Sequence, residues 1–496
     1  MSWLPPGIAP DLGAPSASRY FGADLAPVSA AERSWGLWHY AALWVAMSVC
    51  IPTYMLAAAL IQAGLTWQWA LAAILLGNAI VLVPLLVNGH AGTRYGIPFP
   101  VYVRAAFGLR GAHVPSLLRA IVACGWFGIQ TWVGGLAIHE MISLLWPAWA
   151  SVGGGALWMG YGLPHFLAFL LFWTINIYFV WAGTESIKWL ETAAAPLLIV
   201  AGLALLWWAQ ARVGGFGTLL GGATSLGDAP GRFSAALFIP WVTAMVGFWA
   251  TLALSIPDFT RYARSQRDQA LGQTIGLLTT MPLFAFIGVA VTSATVQIYG
   301  EAIWNPVTLI ARIAAESGST AVALIALLVL LIATLTTNIA ANVVAPAAAI
   351  ANLRPSRISQ RLGGIVAATV GIALFPWRLL DAYQTWLLSY SGLLGAVGGV
   401  IVCDYLVVRR GVLDVAGLFT EGGPYWYHRG VNLGAMTALG AGVAVALLGA
   451  VVPALHFLFS GAWFSAAIVS FVVHWWLARR AHLTFRSHTR PREALR

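Results

Sequence analysis

Lysine is all but missing from this 496-residue chain: Lys188 stands alone, and charged residues of every kind make up only 8%. Soluble domains carry roughly a quarter, so a water-soluble globule is excluded. The lone lysine has no glycine-rich neighbourhood for a phosphate-binding loop, "HEMIS" at His139 lacks the second histidine of a zinc protease, and no G-x-S-x-G nucleophile turn occurs. His139 beside Glu140 reads as structural, and the chain is not expected to be an enzyme or to hold a cofactor. Three cysteines, Cys50, Cys124 and Cys403, fall in apolar stretches, where a thiol acts as a small apolar group. They indicate no disulfide framework. The N-terminus lacks the basic start and apolar run of a cleaved signal, and reads as a cytoplasmic tail.

What the chain has in abundance is hydrocarbon. It is 60% hydrophobic, with mean hydropathy +0.82. A helical crossing of the bilayer takes about 20 apolar residues, and twelve such runs recur: 37–62, 66–88, 114–146, 163–183, 186–211, 234–258, 271–297, 320–350, 362–378, 380–407, 431–454 and 457–478. The fold class is therefore all-α membrane. Sorted by alternate connections, 22 of the 26 cations share one side, and the other four are Arg212, Arg232, Arg312 and Arg378. Cations collect on the cytoplasmic side, so both termini are expected inside a multi-pass protein of the cell membrane. The net charge of +10 records topology and points to no nucleic-acid partner; the lipid bilayer is the expected surrounding, and a monomer the expected state.

Several spans carry breakers. The first contains "SVCIPTYM" with Pro52 inside, and the sixth "VGFWATLALSIPDF" with Gly247 and Pro257. Proline frees carbonyls that hydrocarbon cannot satisfy, and matching broken helices in two inverted halves form the midplane site of many transporters. Breaks in spans one and six, five apart, fit a five-plus-five inverted repeat. The expected organisation is a tail (1–36), a transport core (37–410, with repeats at about 37–211 and 234–410), helices 11 and 12 (411–478) and a second tail (479–496). Simple proline kinks would leave the same sequence pattern. The longest polar connection is 88–115, and the segment between spans seven and eight reads either as a short outer helix or as an ordinary surface loop.

Polar side chains within spans are costly and usually face the bundle interior. Trp126 and Gln130 in "ACGWFGIQTWVGG" are four apart, one above the other on a helix. An indole beside a carboxamide can sandwich a flat ring and hydrogen-bond its edge. Span eight offers Thr336, Thr337, Asn338 and Asn342; span six offers Phe248 and Trp249 beside Gly247; span one offers Ser48 and Cys50 before Pro52. Helix–helix bonding and the interfacial aromatic belt account for many such residues, although Trp126 lies near the centre of its span. Acidic residues cluster at span ends (Glu185, Glu191, Asp258 and Asp404 inside, Glu140 and Asp381 outside), with none at midplane. Hard oxygens on a broken helix suit sodium, so sodium coupling is favoured over proton coupling.

Long motifs in order, "RSWGLWHYAALWVAMSVCIPTYMLA", "NGHAGTRYGIPFPVYVRAAFG", "CGWFGIQTW", "GFWATLALSIPDFTRYA", "TTNIAANVVAPAAAIANL" and "VCDYLVVRR", mark a resemblance to the nucleobase:cation symporter-1 family, over nearly the whole chain. The resemblance implies a twelve-helix, five-plus-five transporter carrying a planar heterocycle such as uracil, cytosine, allantoin or a hydantoin inward with a cation. It also implies that Trp126 and Gln130 stack on and hydrogen-bond the ring, that Trp249 closes its other face with Phe248 and Gly247 adjacent, and that Asn342 reads its edge. Sodium would be held by the carbonyls of Ala46, Val49 and Ala333 and the hydroxyls of Thr336 and Thr337. Leu387 matches an inner lid, with Pro52 at the hinge, and Cys50 replaces an amide that some relatives place near substrate. A proton-coupled carrier and a non-transporting sensor are the alternatives.

Overall fold

The structure, a computed structural model, describes residues 7–9, 18–182, 188–221, 233–354 and 357–480. Glu185, Arg232 and the tail beyond Arg480 lie outside them, as do the side chains of Lys188 and Glu191. Each of the twelve apolar segments contains a helix. Among the described residues, nine single helices are long and apolar enough to cross a bilayer, and the pair Leu37–Ser48 and Ile51–Gln62 makes a tenth crossing. The ninth helix, Gln360–Ala373, is shorter, because it stops before Pro376 restarts the chain; the fifth runs Lys188–Arg212, with side chains described from Pro196 onward.

The first span breaks where its sequence carries proline. Val49 ends the first half, Cys50 is extended (φ −148°, ψ 160°), and Pro52 occupies the first turn of the second half. A missing N–H costs nothing there. The two halves are bent by 58°. The sixth span departs from expectation. Its helix, Ala235–Ser255, runs unbroken through Gly247, and Pro257 opens a separate turn, Pro257–Thr260. A lone glycine weakens a helix by about 1 kcal/mol without ending it. Gly247 serves close packing instead: a Cβ there would stand 2.7 Å from Ser391 Cβ on the tenth span.

Packing is reciprocal between the halves. The broken first span lies on the seventh (Gln266–Tyr299), and the sixth lies on the second (Trp67–Tyr95), while the third (His113–Leu145) faces the eighth (Thr320–Asn342). An inverted five-helix repeat produces this pairing. The second helix runs on to Tyr95, and two short helices, Phe99–Tyr102 and Arg104–Phe107, fill much of the connection read as polar loop.

At the cation-rich end several arginines are braces within the protein. Arg104 is buried and donates to Leu418 O, Tyr20 O and Asn352 Oδ1 at 3.1, 3.0 and 2.8 Å. Arg33 bonds Thr93 O at 2.7 Å, and Arg409 joins Asp404 and Ala105 O. The N-terminal segment from Ser18 is thereby laid across this end, with Trp35 N–H on Tyr262 O at 2.9 Å.

Candidate substrate slot and cation vestibule

The third span owes its face to spacing and its neighbours to glycine. Trp126, Gln130 and Val133 share one side of the helix. Gly125 and Gly128 let other spans close on the rest: a Cβ at Gly125 would stand 2.6 Å from Trp386, and one at Gly128 would collide with the Gly371 backbone. That side looks into a cavity of about 10 Å3, walled by Trp126, Ile129, Gln130 and Val133, by Ile51, Pro52 and Met55 of the first span's second half, by Thr334 of the eighth span, and by Leu380 and Tyr383 at the start of the tenth. A single water needs roughly 10–15 Å3, so a ring has to open this slot in order to fill it.

The polar groups of the slot are few. Gln130 is 4% exposed, and its Oε1 is buried with no hydrogen-bond partner. An unmet buried acceptor costs about 1–3 kcal/mol, which a ligand N–H would recover. The Trp126 indole is held in place, its Nε1 donating to Tyr390 Oη at 3.1 Å. Phe248 and Tyr383 meet it edge-on, with centroids at 5.2 and 5.9 Å. Tyr383 Oη donates to Pro52 O at 3.4 Å, and the Trp304 ring, between the seventh and eighth spans, lies 6.0 Å from the Tyr383 ring.

Of the residues expected here, Trp126, Gln130 and Pro52 line the slot, and Phe248 touches Trp126. Trp249 points elsewhere. Adjacent helical residues project about 100° apart, so with Phe248 on Trp126 the Trp249 ring packs on Trp44, 5.0 Å away. Asn342 is outside the slot lining; its Nδ2 donates to Asn338 Oδ1 at 3.1 Å, and Asn338 in turn bonds Thr131 Oγ1 and Asn176 Oδ1. Cys50 is likewise absent from the wall, its Sγ 3.3 Å from Thr53 Oγ1. Leu387 is fully buried on the side of the tenth span that meets Gly247. Tyr383, Tyr390, Leu380, Thr334 and Trp304 were not anticipated. The spacing of Tyr383, Leu387 and Tyr390, at i, i+4 and i+7, is the signal that would have found the two tyrosines.

A second cavity, of about 960 Å3, opens at the cation-rich end beside Asp24, Asp258, Arg261 and Arg361. Ala46, Val49, Ala333, Thr336 and Thr337 all lie on its wall. The break explains why oxygen is available there. In an unbroken helix the Cys50 N–H would bond Ala46 O; here it turns to Ser48 O at 3.0 Å. Thr336 Oγ1 sits 3.0 Å from Ala333 O on the facing helix. Carbonyl and hydroxyl oxygens of this kind are hard donors, suited to an alkali cation. Helix Pro306–Ser317, between the seventh and eighth spans, is pinned by Arg212 to Glu316 at 3.3 Å and by Tyr299 Oη to Glu316 at 3.1 Å.

A family described as permeases for cytosine/purines, uracil, thiamine and allantoin matches residues 27–478. The chain is 43% identical to a purine-uracil permease of Arabidopsis thaliana, over 85% of this chain and 70% of that one. It is 38% identical to an allantoin permease of Bacillus subtilis, over 91% of each. Among solved structures, Mhp1, a nucleobase-cation-symport-1 family transporter in a closed conformation with bromovinylhydantoin bound, superposes with a TM-score of 0.74 at 29% identity, covering 93% of this chain and 96% of that one. A Na+-coupled sialic acid symporter shares the fold, with a TM-score of 0.61 at 15% identity, over 90% of each chain.

Proposed function

The chain belongs to this family of nucleobase and allantoin permeases, and from that premise we propose that it imports a planar nitrogen heterocycle together with sodium. It is a multi-pass membrane transporter and not an enzyme. The observation that carries the reading is the orphaned Gln130 Oε1 in a largely apolar slot beside Trp126. Burying an amide without a partner is a cost that a ring bearing N–H groups removes on arrival. Relatives that carry uracil and allantoin, and a related structure with a hydantoin bound, support that ligand chemistry.

In this reading the ring enters from outside, wedges between Trp126, Phe248 and Tyr383, and bonds Gln130. Sodium sits on the vestibule wall, held by Ala46, Val49, Ala333, Thr336 and Thr337. Both ligands bear on the first span, whose second half walls the slot and whose first half walls the vestibule. If both stabilise one arrangement of that break, each tightens the other by the same factor. The cation-rich end is the cytoplasmic one, so the vestibule opens inward. No carboxylate lines the slot, which favours sodium over a proton. The test is a thermal-shift screen of uracil, cytosine, allantoin and hydantoin with and without sodium. At least one compound raises the melting temperature, and sodium enlarges the shift. No shift with any compound overturns the proposal.

A further inference from the structure

We infer that Tyr383 sets specificity within the slot by donating its hydroxyl hydrogen bond to a ring carbonyl, so that the preferred substrates are cyclic ureides or imides presenting an N–H to Gln130 and a C=O to Tyr383. The inference rests on the functional reading above and deepens it.

The polar inventory of the slot leads there. Thr334 Oγ1 already donates to Leu330 O at 2.7 Å within its own helix, and Trp126 Nε1 is taken by Tyr390. Asn342 and Cys50 are engaged outside the wall. Gln130 Oε1 is an acceptor without a donor. Besides the Gln130 amide nitrogen, the remaining polar group is the Tyr383 hydroxyl, which donates to a carbonyl oxygen, Pro52 O, at 3.4 Å. Good O–H···O bonds span about 2.5–3.0 Å, so this one is long and readily exchanged for a ring carbonyl at normal distance. Contacts with the Trp126 and Trp304 indoles hold the phenol ring. The hydroxyl is thus presented at a fixed place in the wall. A ring that offered only amino groups on that edge would leave the Tyr383 proton on its long bond and gain less.

The experiment compares wild type with Tyr383→Phe in equilibrium binding, with sodium present. The probes are uracil and hydantoin, and the same rings lacking one carbonyl: 2-pyrimidinone, 4-pyrimidinone and 2-imidazolidinone. Tyr383→Phe weakens the dioxo rings about fivefold to tenfold, the span of one neutral hydrogen bond. The analogue that lacks the contacted carbonyl binds both proteins equally. The ligand-free melting temperature of each protein reports its folding. Affinities of Tyr383→Phe equal to those of wild type for every probe, or the same fold loss for every probe, overturn the inference. Absence of binding to wild type overturns the functional reading itself, and this inference with it.

Discussion

Under the proposed function Gln130 bonds the ring directly, whereas Tyr390 acts through Trp126, whose Nε1 donates to its hydroxyl at 3.1 Å. Gln130→Ala removes the unmet acceptor and with it on the order of 1–3 kcal/mol of ligand binding, a rise in Kd measurable by calorimetry against whichever heterocycle scores in the screen. Tyr390→Phe leaves the slot lining intact but frees Trp126 Nε1. Its expected cost is about 1 kcal/mol, read as a several-fold rise in Kd together with a shifted Trp126 emission that Gln130→Ala does not produce. The Trp126–Gln130 pair was legible in the sequence because four residues on a helix guarantee a shared face. The choice between Phe248 and Trp249 was not, since two neighbours project about 100° apart and only tertiary packing sets the phase of their helix. The same holds for Asn342: its amide was expected at the ring edge, but Asn338 one turn earlier offers it a partner at 3.1 Å.

Helix breaks operate at the next scale, and there the sequence was half legible. Pro52 marks a real interruption of the first span, with a 58° bend and an extended Cys50. Gly247 resembled a second interruption but is a contact point, where the sixth span comes within reach of Leu387 O and Ser391 on the tenth. Sequence alone does not separate a glycine that bends a helix from one that admits a neighbour. Gly247→Val should therefore overpack the junction of the sixth and tenth spans. The expected loss is about 1–3 kcal/mol of stability, seen as a lowered melting temperature in detergent without ligand. Pro52→Ala acts on the other kind of site. It favours a straighter first span, returns the Ala46 carbonyl to a backbone partner, and should weaken the sodium enhancement of ligand binding more than ligand binding measured without sodium.

For the molecule as a whole, the vestibule marks one end: it carries Thr336 and Thr337 on its wall and opens among Asp24, Arg261 and Arg361. The native cysteines Cys50, Cys124 and Cys403 are all buried, so an introduced thiol can be read against a quiet background. Ala340→Cys, on the vestibule wall, should react with a membrane-impermeant thiol reagent in inside-out vesicles and not in right-side-out cells. Labelling from outside alone would invert the assigned topology. The crossings and the side on which cations gather followed from composition, because hydrocarbon thickness imposes both. The burial of Arg33, Arg104 and Arg409 as internal braces did not, since a charge count carries no information on partners.

Uptake into proteoliposomes bears most directly on the claim that ring and sodium are carried together. With an inward sodium gradient, the heterocycle that shifts the melting temperature should accumulate above its outside concentration; removing sodium should abolish that accumulation, and Gln130→Ala should slow uptake at low substrate concentration. Equal accumulation in sodium-free buffer, or binding without any accumulation, would contradict the account.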